Sequence, residues 1–78
     1  METNEEQVSR NIKSIRNKLG LSQQDIANDL SITSKTYMAM ENHPFSYSID
    51  KLNILANYFG CNINEFFLPI QFTKSEYK

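Results

Sequence analysis

Little in this sequence would interrupt a helix. Glycine occurs only at Gly20 and Gly60, and proline only at Pro44 and Pro69. So few breakers disfavour a turn-rich β fold and favour helices. Cysteine is limited to Cys61, so no intramolecular disulfide can form, which suits a reducing compartment. With one histidine, His43, there is no Cys/His cluster for zinc, and no glycine-rich phosphate loop is present. His43 beside Pro44 reads as a loop residue, and Cys61 as a small buried hydrophobe. No cofactor, metal, catalytic group or small-molecule substrate is expected, so the chain is not read as an enzyme. No apolar run approaches the roughly 20 residues needed to cross a bilayer. Met1 to Val8 is polar and acidic, unlike a secretory signal. The expected location is cytoplasmic, away from membranes.

What is present is an ordinary globular composition: 78 residues, 40% hydrophobic and 22% charged. That length makes one compact domain, expected over residues 1–69, with a polar tail at 70–78. A core this small is marginal, and association between subunits is a natural source of further stability. The net charge of −1 gives only modest general attraction to phosphate, although Arg10, Lys13, Arg16, Lys18 and Lys35 all precede residue 40.

The apolar spacing predicts five helices and an all-α fold. Thr3 with Glu6 has the spacing of a capping box, followed by Val8, Ile12, Ile15 and Leu19 as one apolar face. This first helix spans about Asn4 to Leu19 and closes at Gly20. Ser22 caps a second helix with Asp25 in its first turn and Ile26, Ala27 and Leu30 inward. Thr33 caps a third, running to about Glu41, with Tyr37 and Met40 inward. Asn42 to Tyr47 reads as a loop, because Pro44 disfavours helix at His43. Ser48 caps a fourth, with Ile49, Leu52, Leu55, Ala56 and Phe59 as its core face, ended by Gly60. Asn62 and Glu65 have capping-box spacing for a short fifth helix, stopped by Pro69.

Function is carried by Leu21 to Asn42, LSQQDIANDLSITSKTYMAMEN. Two short helices joined by a tight turn need a platform from the other three. Mounted on it, the third can enter a DNA major groove, which is wide enough for an α-helix. Ile15-Arg16, Leu19 to Gln24, Ile26-Ala27, Leu30, Ile32-Thr33, Glu41, Leu52/Leu55/Ala56 and Asn64 to Phe67 occur in order and without gaps. Together they resemble the phage repressor and Cro-like helix-turn-helix proteins of the XRE family, from about Ile12 to Phe67.

The resemblance implies a compact five-helix, lambda-repressor-like domain with its helix-turn-helix at helices two and three. It places Ser22, Gln23 and Gln24 at a DNA phosphate, where a helix N-terminus favours an anion. It places Ser34, Lys35, Met38 and Ala39 at base edges, and Thr36 and Asn42 at backbone phosphates. Lys35 suits guanine O6 and N7, while Met38 and Ala39 suit a thymine methyl. Arg16 and Glu41 match a structural pair that fixes the angle of the recognition helix. The chain departs from the family at Ser31 and His43, where glycine is usual, and in a His43 to Ser48 loop without lysine or arginine.

Phe66, Phe67, Leu68, Ile70 and Phe72 exceed what a small core absorbs, which points to an exposed apolar patch and a dimer interface. The expected protein is a DNA-binding transcriptional regulator, a repressor acting as a homodimer on a palindromic double-stranded operator. Half-sites would then lie about 34 Å apart. The alternative expectation keeps the fold but binds a protein partner, as an antitoxin or antirepressor does.

Overall fold

A computed structural model describes residues 4–68, and all regular structure among them is helical. The order is α1 (Glu5–Lys18), α2 (Gln23–Leu30), α3 (Ser34–Asn42), a 3-10 turn at Pro44–Ser46, α4 (Ile49–Phe59) and a 3-10 helix at Ile63–Phe67.

Side-chain caps set most helix starts. Ser22 and Asp25 form a reciprocal capping box at α2, Thr33 Oγ1 accepts from Thr36 N at α3, and Ser48 Oγ accepts from Lys51 N at α4. Each satisfies a backbone N–H that the helix itself cannot. At α1 the cap is Asn4, whose side chain accepts from Gln7 N at 2.9 Å. Thr3, the expected cap, lies outside the described residues. Three left-handed residues follow helices: Gly20 after α1 at φ 71°, as expected, Ser31 after α2 at φ 60° and Gly60 after α4 at φ 79°. Ser31 thus occupies a conformation in which glycine is ordinarily found.

Val8, Ile12, Ile26, Ala27, Tyr37, Leu55, Ala56 and Phe66 are fully buried in one cluster. Phe59 meets Phe66 edge-on, with ring centroids 6.2 Å apart. Two residues expected inside are not. Leu19, the residue that caps α1, is 49% exposed, and Ile49 is 61% exposed at the first position of α4. Cys61 is half-buried, and burial together with the neighbouring Glu65 pushes its thiol pKa up.

The fifth element is a 3-10 helix rather than an α-helix. Asn62 caps Asn64 N at 2.8 Å instead of forming the expected box with Glu65. Its carbonyls turn outward to α1. Asn11 Nδ2 donates to Phe66 O at 2.8 Å and to Leu68 O at 2.7 Å, and Gln7 Nε2 donates to Leu68 O at 2.8 Å. Pro69, the expected stop, lies outside the described residues, as does the tail 70–78.

Candidate nucleic-acid interface

The candidate interface is built on α2 and α3. Ile32 N donates to Ala27 O at 2.9 Å, closing the turn between them, while Ile26, Ala27, Tyr37 and Met40 seat the pair on the core. At about 100° per residue, Tyr37, Met40 and Glu41 share one side of α3, and Ser34, Lys35, Met38, Ala39 and Asn42 share the other. Burial agrees: the first three are buried, Lys35, Met38 and Asn42 are exposed, and Ser34 and Ala39 are half-exposed. Thr36 sits at the edge between the two sides and is also half-exposed.

One buried carboxylate joins these elements. Glu41 has no exposed surface, and Arg16 Nε from α1 donates to its Oε2 at 2.6 Å. Tyr37 Oη donates to the same oxygen at 2.8 Å, and Gln23 Nε2 from α2 donates to Oε1 at 2.8 Å. Arg16 Nη1 also donates to Leu21 O at 3.1 Å. Burial alone would raise the Glu41 pKa, but the hydrogen bonds from Arg16, Tyr37 and Gln23 hold it below the usual carboxylate value. In turn the Glu41 hydrogen bond raises the pKa of Arg16, against the opposing effect of burial. Tyr37 is pushed well above the ordinary tyrosine value, first by burial and then by its bond to Glu41. The cluster fixes α3 against both α1 and the start of α2.

The structure therefore brings Arg16, Gln23 and Glu41 together. Gln23 keeps one amide hydrogen beyond the one given to Glu41. Gln24 sits beside the start of α3: Ser34 Oγ donates to its Oε1, and its Nε2 donates to Asn28 Oδ1 at 2.9 Å. Ser22 Oγ is committed to the capping box. Tyr37 was foreseen only as a core residue, although its four-residue spacing from Glu41 places both on one helix face. Gln23 as a ligand of Glu41 had no local signal.

The expected apolar patch is altered. Phe66 is fully buried in the core, where it packs against Phe59, and so is not part of an exposed surface. Phe67 is half-buried against the core, and Leu68 is 49% exposed. Ile70 and Phe72 lie outside the described residues.

Two helices joined by a tight left-handed turn, with the second carried outward on a packed platform, define a helix-turn-helix protein. A family model for the helix-turn-helix domain, of the XRE and Cro/C1 type, matches residues 9–69, and the chain belongs to that family. No curated protein and no solved structure matches the chain. The family is one of DNA-binding domains, ordinarily without enzymatic activity, and suggests a DNA-binding regulator. Among the described residues, no helix is long and apolar enough to cross a membrane, and no cluster of His, Cys, Asp or Glu could hold a metal ion.

Proposed function

We propose that the protein is a sequence-specific transcriptional regulator, a repressor that occupies a palindromic operator as a homodimer. The observation that carries this reading is the outward side of α3. Ser34, Lys35, Met38 and Ala39 lie, with Asn42, on the outward side of a helix whose inner side is locked by the Glu41 cluster. A helix held this rigidly can present side chains to base edges without first being ordered.

In this reading Lys35 donates to guanine O6 and N7, and Met38, 44% exposed, contacts a thymine methyl. Ser34 and Ala39 complete the base-facing set. Ser22, Gln23 and Gln24 approach one phosphate at the α2 N-terminus, and Thr36 and Asn42 approach others. The dimer interface includes Leu68 and Phe67 with Ile70 and Phe72. A location in the cytoplasm, where DNA and a reduced Cys61 coexist, agrees with this role.

The test is selection of bound sequences from a random duplex library at two salt concentrations. The expected result is a palindrome with half-sites about one helical turn apart. Lys35→Ala should weaken binding to that duplex by about 1–3 kcal/mol and relax selection at one position of each half-site. Unselective binding, or unchanged operator affinity in the variant, would count against the reading.

A further inference from the structure

The first residue of α3 has its hydroxyl proton already committed. Ser34 Oγ donates to Gln24 Oε1, and Gln24 Nε2 donates in turn to Asn28 Oδ1 at 2.9 Å. Asn28 stands one turn further along α2, so the Gln24 amide is engaged at both ends. Ser34 is half-exposed, and Gln24 and Asn28 are exposed. A line of three side chains thus joins α2 to the start of the outward side of α3.

A serine hydroxyl carries one proton and two lone pairs. With the proton given to Gln24, Ser34 is left as an acceptor alone. Every base pair shows one exocyclic amine in the major groove, adenine N6 or cytosine N4. The other polar atoms there are acceptors: the purine N7, guanine O6 and thymine O4. Ser34 can therefore bond to the amine and to nothing else on the pair. Reversing a pair exchanges its amine for a carbonyl, and Ser34 would then have to withdraw its proton from Gln24. That strands the Gln24 oxygen where the groove excludes water, so the exchange gains no bond.

The neighbouring residue has the opposite character. Lys35 carries donors and no acceptor. Ser34 and Lys35 together set an acceptor beside a donor on the outward side of α3. The acceptor is defined only because Gln24 holds the Ser34 proton.

We propose that Gln24 is a positioning residue that fixes Ser34 as a hydrogen-bond acceptor, so that Ser34 selects base pairs by the place of their exocyclic amine. The proposal rests on the operator-binding reading above and deepens it. The second Nε2 hydrogen of Gln24 stays available to a phosphate, so the residue acts on sequence choice as well as on grip.

The experiment begins from the duplex that the wild type selects and finds the base pair whose selection is lost in Ser34→Ala. Affinity is then measured for that duplex and for two others altered at this pair in one half-site. One has the amine removed, with purine for adenine or 2-pyrimidinone for cytosine, and the other has the pair reversed. The wild type should lose about fivefold on each, the worth of one hydrogen bond. Ser34→Ala should be nearly indifferent to both changes. Gln24→Met should still lose on amine removal but tolerate the reversed pair, because the released hydroxyl can now donate. Gln24→Glu keeps an acceptor in place and should penalise reversal as the wild type does. Gln24 is exposed and both replacements favour helix, so the fold is preserved. Three results would overturn the proposal and leave the operator reading standing: no pair that depends on Ser34, no loss on amine removal in the wild type, or a Gln24→Met variant weakened equally on every duplex, as a phosphate contact alone would be. Absence of selective DNA binding by the wild type would overturn both.

Discussion

Glu41 is the residue on which the orientation of α3 depends. Its carboxylate is wholly buried, and three donors from three helices converge on it. Removing one member of a buried ion pair leaves the other uncompensated, so Glu41→Gln should cost about 3 kcal/mol in urea unfolding. Its acid response has a definite sign. The folded pKa lies below the ordinary 4.5, so the stabilisation is complete above that pH and is lost as pH falls through the lower folded value. Stability of the wild type should therefore decline below about pH 4.5 more steeply than that of Glu41→Gln. Tyr37→Phe removes one donor to the carboxylate and lifts the folded pKa toward 4.5, so its acid decline should begin at the same pH but be smaller and end at a higher pH. Equal acid slopes in wild type and Glu41→Gln would show that this carboxyl is not the titrating group.

At the scale of elements, what the sequence discloses is local chemistry. Ser22, Thr33 and Ser48 are caps because their short oxygen-bearing side chains reach the first free N–H groups, a signal contained within four residues. Gly60 and Ser31 end helices through backbone sterics, which are equally local. An added Cβ at Gly60 meets nothing within 4 Å, so Gly60→Ala should cost only the left-handed strain, about 1 kcal/mol. Ser31→Gly relieves that strain but loosens the unfolded chain, and should gain about 0.5 kcal/mol net in thermal or urea unfolding. The last element was not legible in this way. Its carbonyls are taken by Asn11 and Gln7, more than fifty residues earlier in the chain, and no short pattern announces such partners. Asn11→Ala should leave the carbonyl of buried Phe66 without this donor, at a cost of about 1–2 kcal/mol. Ile49 and Leu19 were misplaced for a related reason: helical spacing gives a face, but not where the neighbouring element stops covering it.

At the scale of the whole molecule, the outward residues of α3 follow from the helical period and from the resemblance to repressors, whereas the groove that Thr36 and Met40 of α3 line together with Lys51 and Ile54 of α4 exists only in the fold. The same limit applies to the proposed dimer. Counting aromatics suggested more apolar side chains near the end than a small core could hold, and Phe66 shows that the core takes one of them fully. Leu68 remains half-exposed, and its backbone is fixed on α1 by Gln7 and Asn11, so its side chain occupies a constant place on the surface. An interface there should be broken by a charge without damage to the fold, because Leu68 contributes little to the monomer core. Leu68→Glu should therefore shift sedimentation from dimer to monomer while leaving helical content unchanged. Operator binding should weaken with it, since two recognition helices joined by an interface share one binding event and separated ones do not. A wild type that already sediments as a monomer, or a Leu68→Glu variant that remains dimeric, would move the interface elsewhere, with exposed Ile49 and Ile54 of α4 the next surface to charge.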